Sequence, residues 1–273
     1  MKDFRGREVL ITGAGSGIGR AAALAFAGEG ASLWLCDRNT EGNEETAARA
    51  RRKAAQVRVF ECDVADEAAV RAIAARVRED VGALDVLVNN AGIGSAGRFL
   101  ETSLETWRRV MDVNLMGVVH GCHAFLPDMV ERGRGGHVVN TASAAAFVAP
   151  ADMPVYASSK FAVLGFTEAL RADMAAHGIG VTALCPGIIN TGIVADSIME
   201  GRMADPERHG KVVRFYERRN YTADDVATAL LRAIRRNVAV QPVSPEAWGL
   251  YYGKRLAPAV TGWLTGREPP FLR

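Results

Sequence analysis

From the eighth residue onward, short β-branched apolar runs alternate with longer amphipathic stretches. Residues 8–12 (EVLIT), 32–36, 57–62, 84–89, 136–141 and 179–185 read as strands, because Val, Ile and Leu dominate them and glycines or polar clusters bound them. Between these lie 17–28, about 40–55, 66–81, 104–130 and 154–176, which read as helices; Asp66 stands where an N-cap belongs. The strand runs are continuously apolar rather than alternating. That pattern predicts burial on both faces, as in a parallel sheet covered by helices. The expected fold class is therefore α/β, a doubly wound parallel sheet in a single domain.

The alternation breaks over residues 187–221. The first part of this segment is apolar (Ile188, Ile189, Ile193, Val194, Ile198, Met199). The second is basic (Arg202, Arg208, Lys211, Arg214, Arg218, Arg219) against Asp205, Glu207 and Glu217. A solvated amphipathic helix is the preferred reading, with an apolar pocket rimmed by base for an anionic substrate as the alternative. A helix over 223–236 and a short strand near 238–241 follow. Ser244-Pro245-Glu246 then signals a new helix, with Ser244 as its N-cap. Trp248, Tyr252, Leu256, Val260 and Leu264 recur every four residues, and Pro258 should kink or break that helix. The stripe is expected to dock on its own fold or on a sister subunit rather than on a membrane surface. The chain thus divides into a main unit, 1–243, with a covering segment at 187–221, and a helical tail, 244–273.

At 273 residues and 49% hydrophobic, the chain can bury one sizeable core. A net charge of +2 gives no reason to expect nucleic acid as a partner. No run of 18 or more apolar residues predicts a membrane span, and the N-terminus lacks the apolar core of a signal peptide; a cytoplasmic protein is expected. None of the four cysteines (Cys36, Cys62, Cys122, Cys185) forms a C-x-x-C pair. They read as buried free thiols in a reducing compartment. His120 and His123 share a helix face near Cys122, but with no third ligand evident they read as packing or subunit contacts, and no metal is expected. His137 and His177 read as structural.

The first strand runs into Thr12-Gly13-Ala14-Gly15-Ser16-Gly17-Ile18-Gly19. Gly13, Gly15, Gly17 and Gly19 let backbone turn tightly and approach a pyrophosphate at a helix N-terminus, with Ser16 and Ile18 between them. The spacing departs from G-x-G-x-x-G, and no Gly-Lys-Ser/Thr follows, which excludes a Walker loop. Asp37, 18 residues beyond Gly19 at the end of the second strand, can accept from the hydroxyls of an adenosine ribose. Its charge would repel a 2′-phosphate, whereas Arg38 beside it could hold one. Because Ser16 brings no positive charge into the loop, NAD(H) is favoured over NADP(H). Asp63 could accept from an adenine amino group or cap the next helix.

Tyr156 and Lys160 are four apart on a predicted helix and share a face. A lysine ammonium beside a phenol should lower the phenol's pKa toward the range of a working base. Ser143 lies just past the fifth strand, where carboxyl-end groups face the ligand crevice, and could hold an oxygen as charge develops on it. Asn114, within the long fourth helix, needs a partner if buried.

These motifs in order, TGAGSGIG at 12–19, Asp63-Val64, NNAG at 89–92, Asn114 in DVNL, Ser143, YASSK at 156–160 and PGIINT at 186–191, resemble the short-chain dehydrogenase/reductase family over about residues 5–242. The resemblance implies a Rossmann-type fold with a substrate lid at 187–221. It implies an oxidoreductase moving a hydride between a nicotinamide and a carbonyl or secondary alcohol. In that reading Tyr156 donates or removes the proton, Ser143 polarises the carbonyl, Lys160 holds the nicotinamide ribose and lowers the Tyr156 pKa, and Asn114 orders a water linking Lys160 to solvent. It also implies that Asn90 and Gly92 flank the adenosine, with Val64 and Ala91 counted among the same contacts. Pro186, Gly187, Ile188 and Thr191 embrace the nicotinamide end. The two long helices would pair between subunits in a homodimer or homotetramer. Apolar residues after Ser143 (Ala144–Ala146, Phe147, Val148) favour an apolar small-molecule ketone or alcohol. The alternative is a Rossmann protein that binds NAD(P) to sense or regulate, without turnover.

Overall fold

The computed structural model describes residue 1 and residues 3–265. Strand β1 (Glu8–Thr12) is an interior strand of a sheet. It is followed by α1 (Gly17–Gly28), β2 (Ser32–Asp37), α2 (Thr40–Ala50), β3 (Gln56–Glu61), α3 (Glu67–Val81) and β4 (Val86–Asn89). A two-residue strand β5 (Ser95–Ala96) precedes α4 (Leu104–Met111) and α5 (Gly117–Arg132). Then come β6 (Gly136–Thr141), α6 (Pro154–Met174) and β7 (Ile179–Pro186). The described residues close with β8 (Ile198–Met199), α7 (Pro206–Glu217), α8 (Ala223–Arg236), β9 (Val240–Val243), α9 (Pro245–Leu256) and α10 (Pro258–Thr265). Seven strands form one parallel sheet in the order β3-β2-β1-β4-β6-β7-β9. Chain order reverses between β1 and β4, so the crevice opens at the carboxyl ends of these strands.

The continuous apolar runs explain the double winding. Leu10 of β1 faces a core with Trp34, Leu87, Val138, Phe125 and Val163, while Val9 and Ile11 face a second with Phe26, Leu33, Val86 and Leu230. Helices α3, α5 and α6 cover the first face, and α1, α2 and α8 the second. Full burial of each such side chain contributes about 1.5–3 kcal/mol. This interior strand, buried on both faces, therefore contributes to both cores.

Several expectations are corrected. β3 is an edge strand and only half-buried; its Arg58 lies over the Trp34 ring at 4.2 Å and bonds Asp80. The helix expected over 104–130 is divided by a π-helical turn, Asp112–Met116, before α5 continues to Arg132. The strand expected near 238–241 is β9, two residues later, paired with β7. Ser244 adopts φ +89° and makes no side-chain cap bond to α9. Asp66, as expected, caps α3 by accepting from Ala68 N and Ala69 N.

The segment 187–221 is tied down at its middle. β8 pairs with β5, Arg202 bonds Asp152, and Glu200 accepts from Ser103 N at 3.3 Å. α7 is a helix without a fully buried residue. The tail breaks at Pro258 as expected. α9 packs beside β9, and its Tyr251 ring meets Phe147 at 5.3 Å. Trp248, Tyr252, Leu256 and Val260 stay exposed. The Leu264 side chain and residues 266–273 of the expected tail lie outside the described residues.

Candidate active site

The glycine loop turns at the carboxyl end of β1. Gly13 (φ +67°) and Gly17 (φ +48°) need the left-handed region. A Cβ at Gly13 would stand 2.8 Å from Ala91 Cα, and one at Gly19 would collide with the Gly13 carbonyl. Ser16 begins α1 without a side-chain cap bond, so the first N–H groups of the helix remain available to a bound anion. Thr12 Oγ1 accepts from Asn90 N and Ala91 N, both at 3.0 Å, and Asn90 Nδ2 donates to the Thr12 carbonyl at 3.1 Å. Asn90 and Ala91 thereby lock the end of β4 to the loop.

Asp37 reaches the same loop. Its Oδ2 accepts from Gly15 N at 2.7 Å and its Oδ1 from Asn39 N at 2.8 Å. Arg38 is exposed beside it. Asp63 accepts from Ala65 N at 3.0 Å and from Arg109 at 3.0 Å. Burial alone would raise this carboxyl; the Ala65 N–H and the Arg109 guanidinium pull it below the usual carboxylate range. Asp63 does not cap α3, which corrects one of its two readings. Val64 is buried, and its carbonyl accepts from His120 Nδ1 at 2.9 Å.

Ser143, Tyr156, Lys160 and Asn114 gather at the carboxyl ends of β4, β6 and β7. Ser143 follows β6, accepts from Ala145 N at 3.1 Å and stands near enough to the Tyr156 phenol for its hydroxyl to favour the phenolate. Lys160 is buried and donates to the Thr141 carbonyl at 3.0 Å; its Nζ lies 5.7 Å from the Tyr156 ring centroid. Burial lowers the Lys160 ammonium to about 8, against a smaller opposing effect of Cys185. Burial also raises the Tyr156 phenol, outweighing the opposing effect of the Ser143 hydroxyl. The expected lowering of the phenol by Lys160 is therefore reversed in the free protein. Desolvation dominates, and it weakens the neighbouring cation as well. Asn114 sits in the π-helical turn, fully buried. Its Oδ1 accepts from Ile93 N at 2.8 Å, and its Nδ2 donates to the Ile93 carbonyl and to Ser159 Oγ, both at 3.0 Å. A Cβ at Gly92 would stand 3.2 Å from Asn114 Oδ1 and 3.3 Å from Lys160 Nζ.

From Pro186 at the end of β7, the run through Gly187, Ile188 and Thr191 crosses toward α1: a Cβ at Gly17 would lie 3.7 Å from Thr191 Cβ. Gly187 N donates to the Val243 carbonyl, and Asn190 N to the Tyr221 carbonyl, each at 3.0 Å.

Sequence reasoning missed several contributors. Arg20 donates to the Gly15 carbonyl at 2.6 Å and pairs with Glu45 at 2.9 Å, bracing the loop; its place one turn into the loop's helix was a readable signal. Ser159, adjacent to Lys160, was another. Arg109, and Glu246, which accepts from Ile188 N at 3.0 Å, had none, because they arrive from distant elements. The residues present fit a dinucleotide: a cradle that Cβ atoms would fill, an uncapped helix N-terminus and a carboxylate at the loop.

A family model described as short chain dehydrogenase matches residues 7–200. The protein named Probable oxidoreductase EphD in Mycobacterium tuberculosis is 44% identical over 254 residues, 92% of this chain and 43% of that protein. The chain thus spans less than half the length of that relative. The 2,5-dichloro-2,5-cyclohexadiene-1,4-diol dehydrogenase of Sphingobium indicum is 41% identical over 192 residues, 70% of this chain and 76% of that protein. Among solved structures, a short chain dehydrogenase/reductase from Burkholderia phymatum in complex with NAD is similar with a TM-score of 0.89 and 32% identity, covering 98% of this chain and 99% of that one.

Proposed function

The chain belongs to the short-chain dehydrogenase/reductase family, and from that premise we propose that it interconverts a secondary alcohol and a carbonyl on an apolar small molecule with a nicotinamide dinucleotide. The observation that carries this reading is the convergence of Ser143, Tyr156, Lys160 and Asn114 beside the glycine-lined helix N-terminus. The diol named for the Sphingobium indicum relative supports an alcohol substrate. A nicotinamide held here would supply a hydride to the carbonyl carbon in reduction and take one from the carbinol carbon in oxidation.

In the reducing direction the Tyr156 phenol gives its proton to the carbonyl oxygen, and in oxidation its oxygen takes the hydroxyl proton. Ser143 Oγ hydrogen-bonds that oxygen as charge develops. Lys160, anchored by Thr141, holds the ribose next to the reacting ring. Asn114 fixes the π-helical turn against Ile93 and Ser159 and keeps a polar path beside Lys160. Gly13 to Gly19 hold the pyrophosphate; Asp37 holds the ribose hydroxyls and makes NAD(H) the preferred cofactor over NADP(H). Asp63 and Val64 sit toward the adenine, and the 186–191 run toward the nicotinamide.

Exposed apolar residues on α4 (Leu104, 69%), the π-helical turn (Met116, 38%) and α6 (Phe161, 37%) support pairing of these helices with a second copy in a dimer or tetramer. Four buried free thiols fit a reducing cytoplasm. Among the described residues, no helix is long and apolar enough to cross a membrane.

The test is a screen of carbonyls and alcohols with both dinucleotides, followed by Tyr156→Phe on whichever substrate turns over. Turnover should fall by ~10²–10⁴-fold, the usual share of general acid–base catalysis, while cofactor affinity survives. Because burial raises the phenol above its ordinary value, wild-type reduction should hold through neutral pH and be lost only at strongly alkaline pH, as the phenol gives up its proton. Near wild-type turnover in Tyr156→Phe would refute the mechanism. A chain that binds dinucleotide and turns over nothing would favour the sensing alternative.

A further inference from the structure

The loop that crosses from β7 toward the glycine loop is held at three backbone points. Gly187 N and Asn190 N donate to main-chain carbonyls of Val243 and Tyr221. The point between them, Ile188 N, donates to a side chain: Glu246 Oε1, at 3.0 Å. Glu246 stands in the first turn of α9, directly after Pro245, where the helix N-terminus favours a negative charge. Its second oxygen accepts from Arg219 at 2.9 Å, and the pair is no more than about a third exposed. Arg219 lies at the far end of the lid, two residues before the Tyr221 carbonyl that holds Asn190. One carboxylate thus joins the crossing loop, the end of the lid and the tail helix.

Local packing shows that the joint is built. A Cβ at Gly187 would stand 2.9 Å from Glu246 Oε1 and would collide with Ser244 Oγ, so only glycine lets the loop come this near. Ser244 is buried and held at φ +89°, a sparsely populated conformation for a residue with a side chain, which aims α9 at the loop. From the other side of α9, Tyr251 supports Phe147, on the turn that follows Ser143.

We propose that Glu246 is a positioning residue that holds the 186–191 loop, and with it the nicotinamide half of the cofactor, in register with Tyr156. The proposal rests on the reading of 186–191 as the nicotinamide-facing run. Glu246 makes no hydrogen bond to Tyr156 or to the glycine loop and reaches the crossing loop through Ile188 N, with Arg219 holding its other oxygen. Its removal should free one end of the dinucleotide and leave the other in place.

The experiment compares two ligands by calorimetric titration: NADH, and ADP-ribose, which has the adenosine and pyrophosphate but no nicotinamide ring. Glu246→Ala should raise the NADH dissociation constant about tenfold, the order expected for loss of charge-assisted hydrogen bonds, and leave that of ADP-ribose within about twofold. Glu246→Gln keeps an acceptor for Ile188 N and loses the charge facing Arg219; it should recover most of the NADH affinity. A general loss of structure would weaken both ligands together in Glu246→Ala, and that outcome overturns the positioning role. So does an NADH affinity left unchanged by Glu246→Ala, provided the wild type clearly separates the two ligands. A wild type that binds NADH no better than ADP-ribose overturns instead the assignment of the loop to the nicotinamide.

Discussion

Asp37 engages both carboxylate oxygens with backbone N–H groups, of Gly15 and Asn39, before any ligand arrives. A 2′-phosphate would have to stand against that fixed charge, with only the exposed Arg38 in its favour. NADH should therefore bind at least about tenfold more tightly than NADPH, and Asp37→Ala should bring the two within a few-fold; parallel fluorescence titrations read this directly, and a wild type preferring NADPH would remove the argument. At this scale the sequence was a good guide wherever a residue's surroundings are set by its own element. Tyr156 and Lys160 share a helix face, and Ser143 must follow its strand. It was a poor guide wherever the outcome is a competition. Whether Lys160 lowers the Tyr156 phenol or burial raises it depends on how much water reaches both, and four-residue spacing does not carry that. Glu246 was read only as part of a helix start. Its work depends on Gly187 approaching it from 59 positions away in the chain, a gap read from their residue numbers.

Among the elements, β1, α1 and α8 match their expected bounds, because apolar runs, glycines and caps mark both ends. The π-helical turn at Asp112–Met116 was illegible. DVNLM has ordinary helical composition, and the widened turn is imposed by Asn114 reaching Ile93 and Ser159. β5 and β8 are too short to leave a pattern. β6 contributes a titration to stability. His137 is buried between strands, with its Nε2 donating to Thr182 Oγ1 at 2.8 Å, while that hydroxyl donates to the Val238 carbonyl at 2.6 Å. Burial, reinforced by the N-terminal ammonium and Arg171, lowers its pKa to about 3. The unfolded chain takes up this proton near ~6.5, so the folded state binds fewer protons than the unfolded one below that point. Stability is whole above ~6.5 and declines as pH falls toward 3. Urea midpoints measured across that window should fall with pH in the wild type and fall less steeply in His137→Gln. Equal slopes would show that other groups carry the acid sensitivity.

Over the whole molecule, the doubly wound architecture follows from six apolar runs and their spacing, whereas the surface it presents to other copies does not. The face formed by α4, the π-helical turn and α6 leaves Leu104, Met116 and Phe161 in water. Multi-angle light scattering at micromolar concentration should return a dimer or a tetramer, and Leu104→Asp with Met116→Asp should shift it toward monomer; a monomeric wild type would contradict the pairing. The four thiols are also distributed over the whole fold. Cys36 and Cys62 lie at the ends of β2 and β3, and Cys122 and Cys185 lie on α5 and β7, on the side of Tyr156 and Lys160. All are buried, and burial pushes Cys62 to about 11 and Cys122 and Cys185 to about 12. Since only the thiolate attacks an alkylating reagent, each sulfur stays silent until its neighbourhood opens. The rate at which each is labelled becomes a clock for that opening. The molecule thereby carries two pairs of internal timers, one per side, and a ligand that steadies one side alone should slow one pair and let the other run.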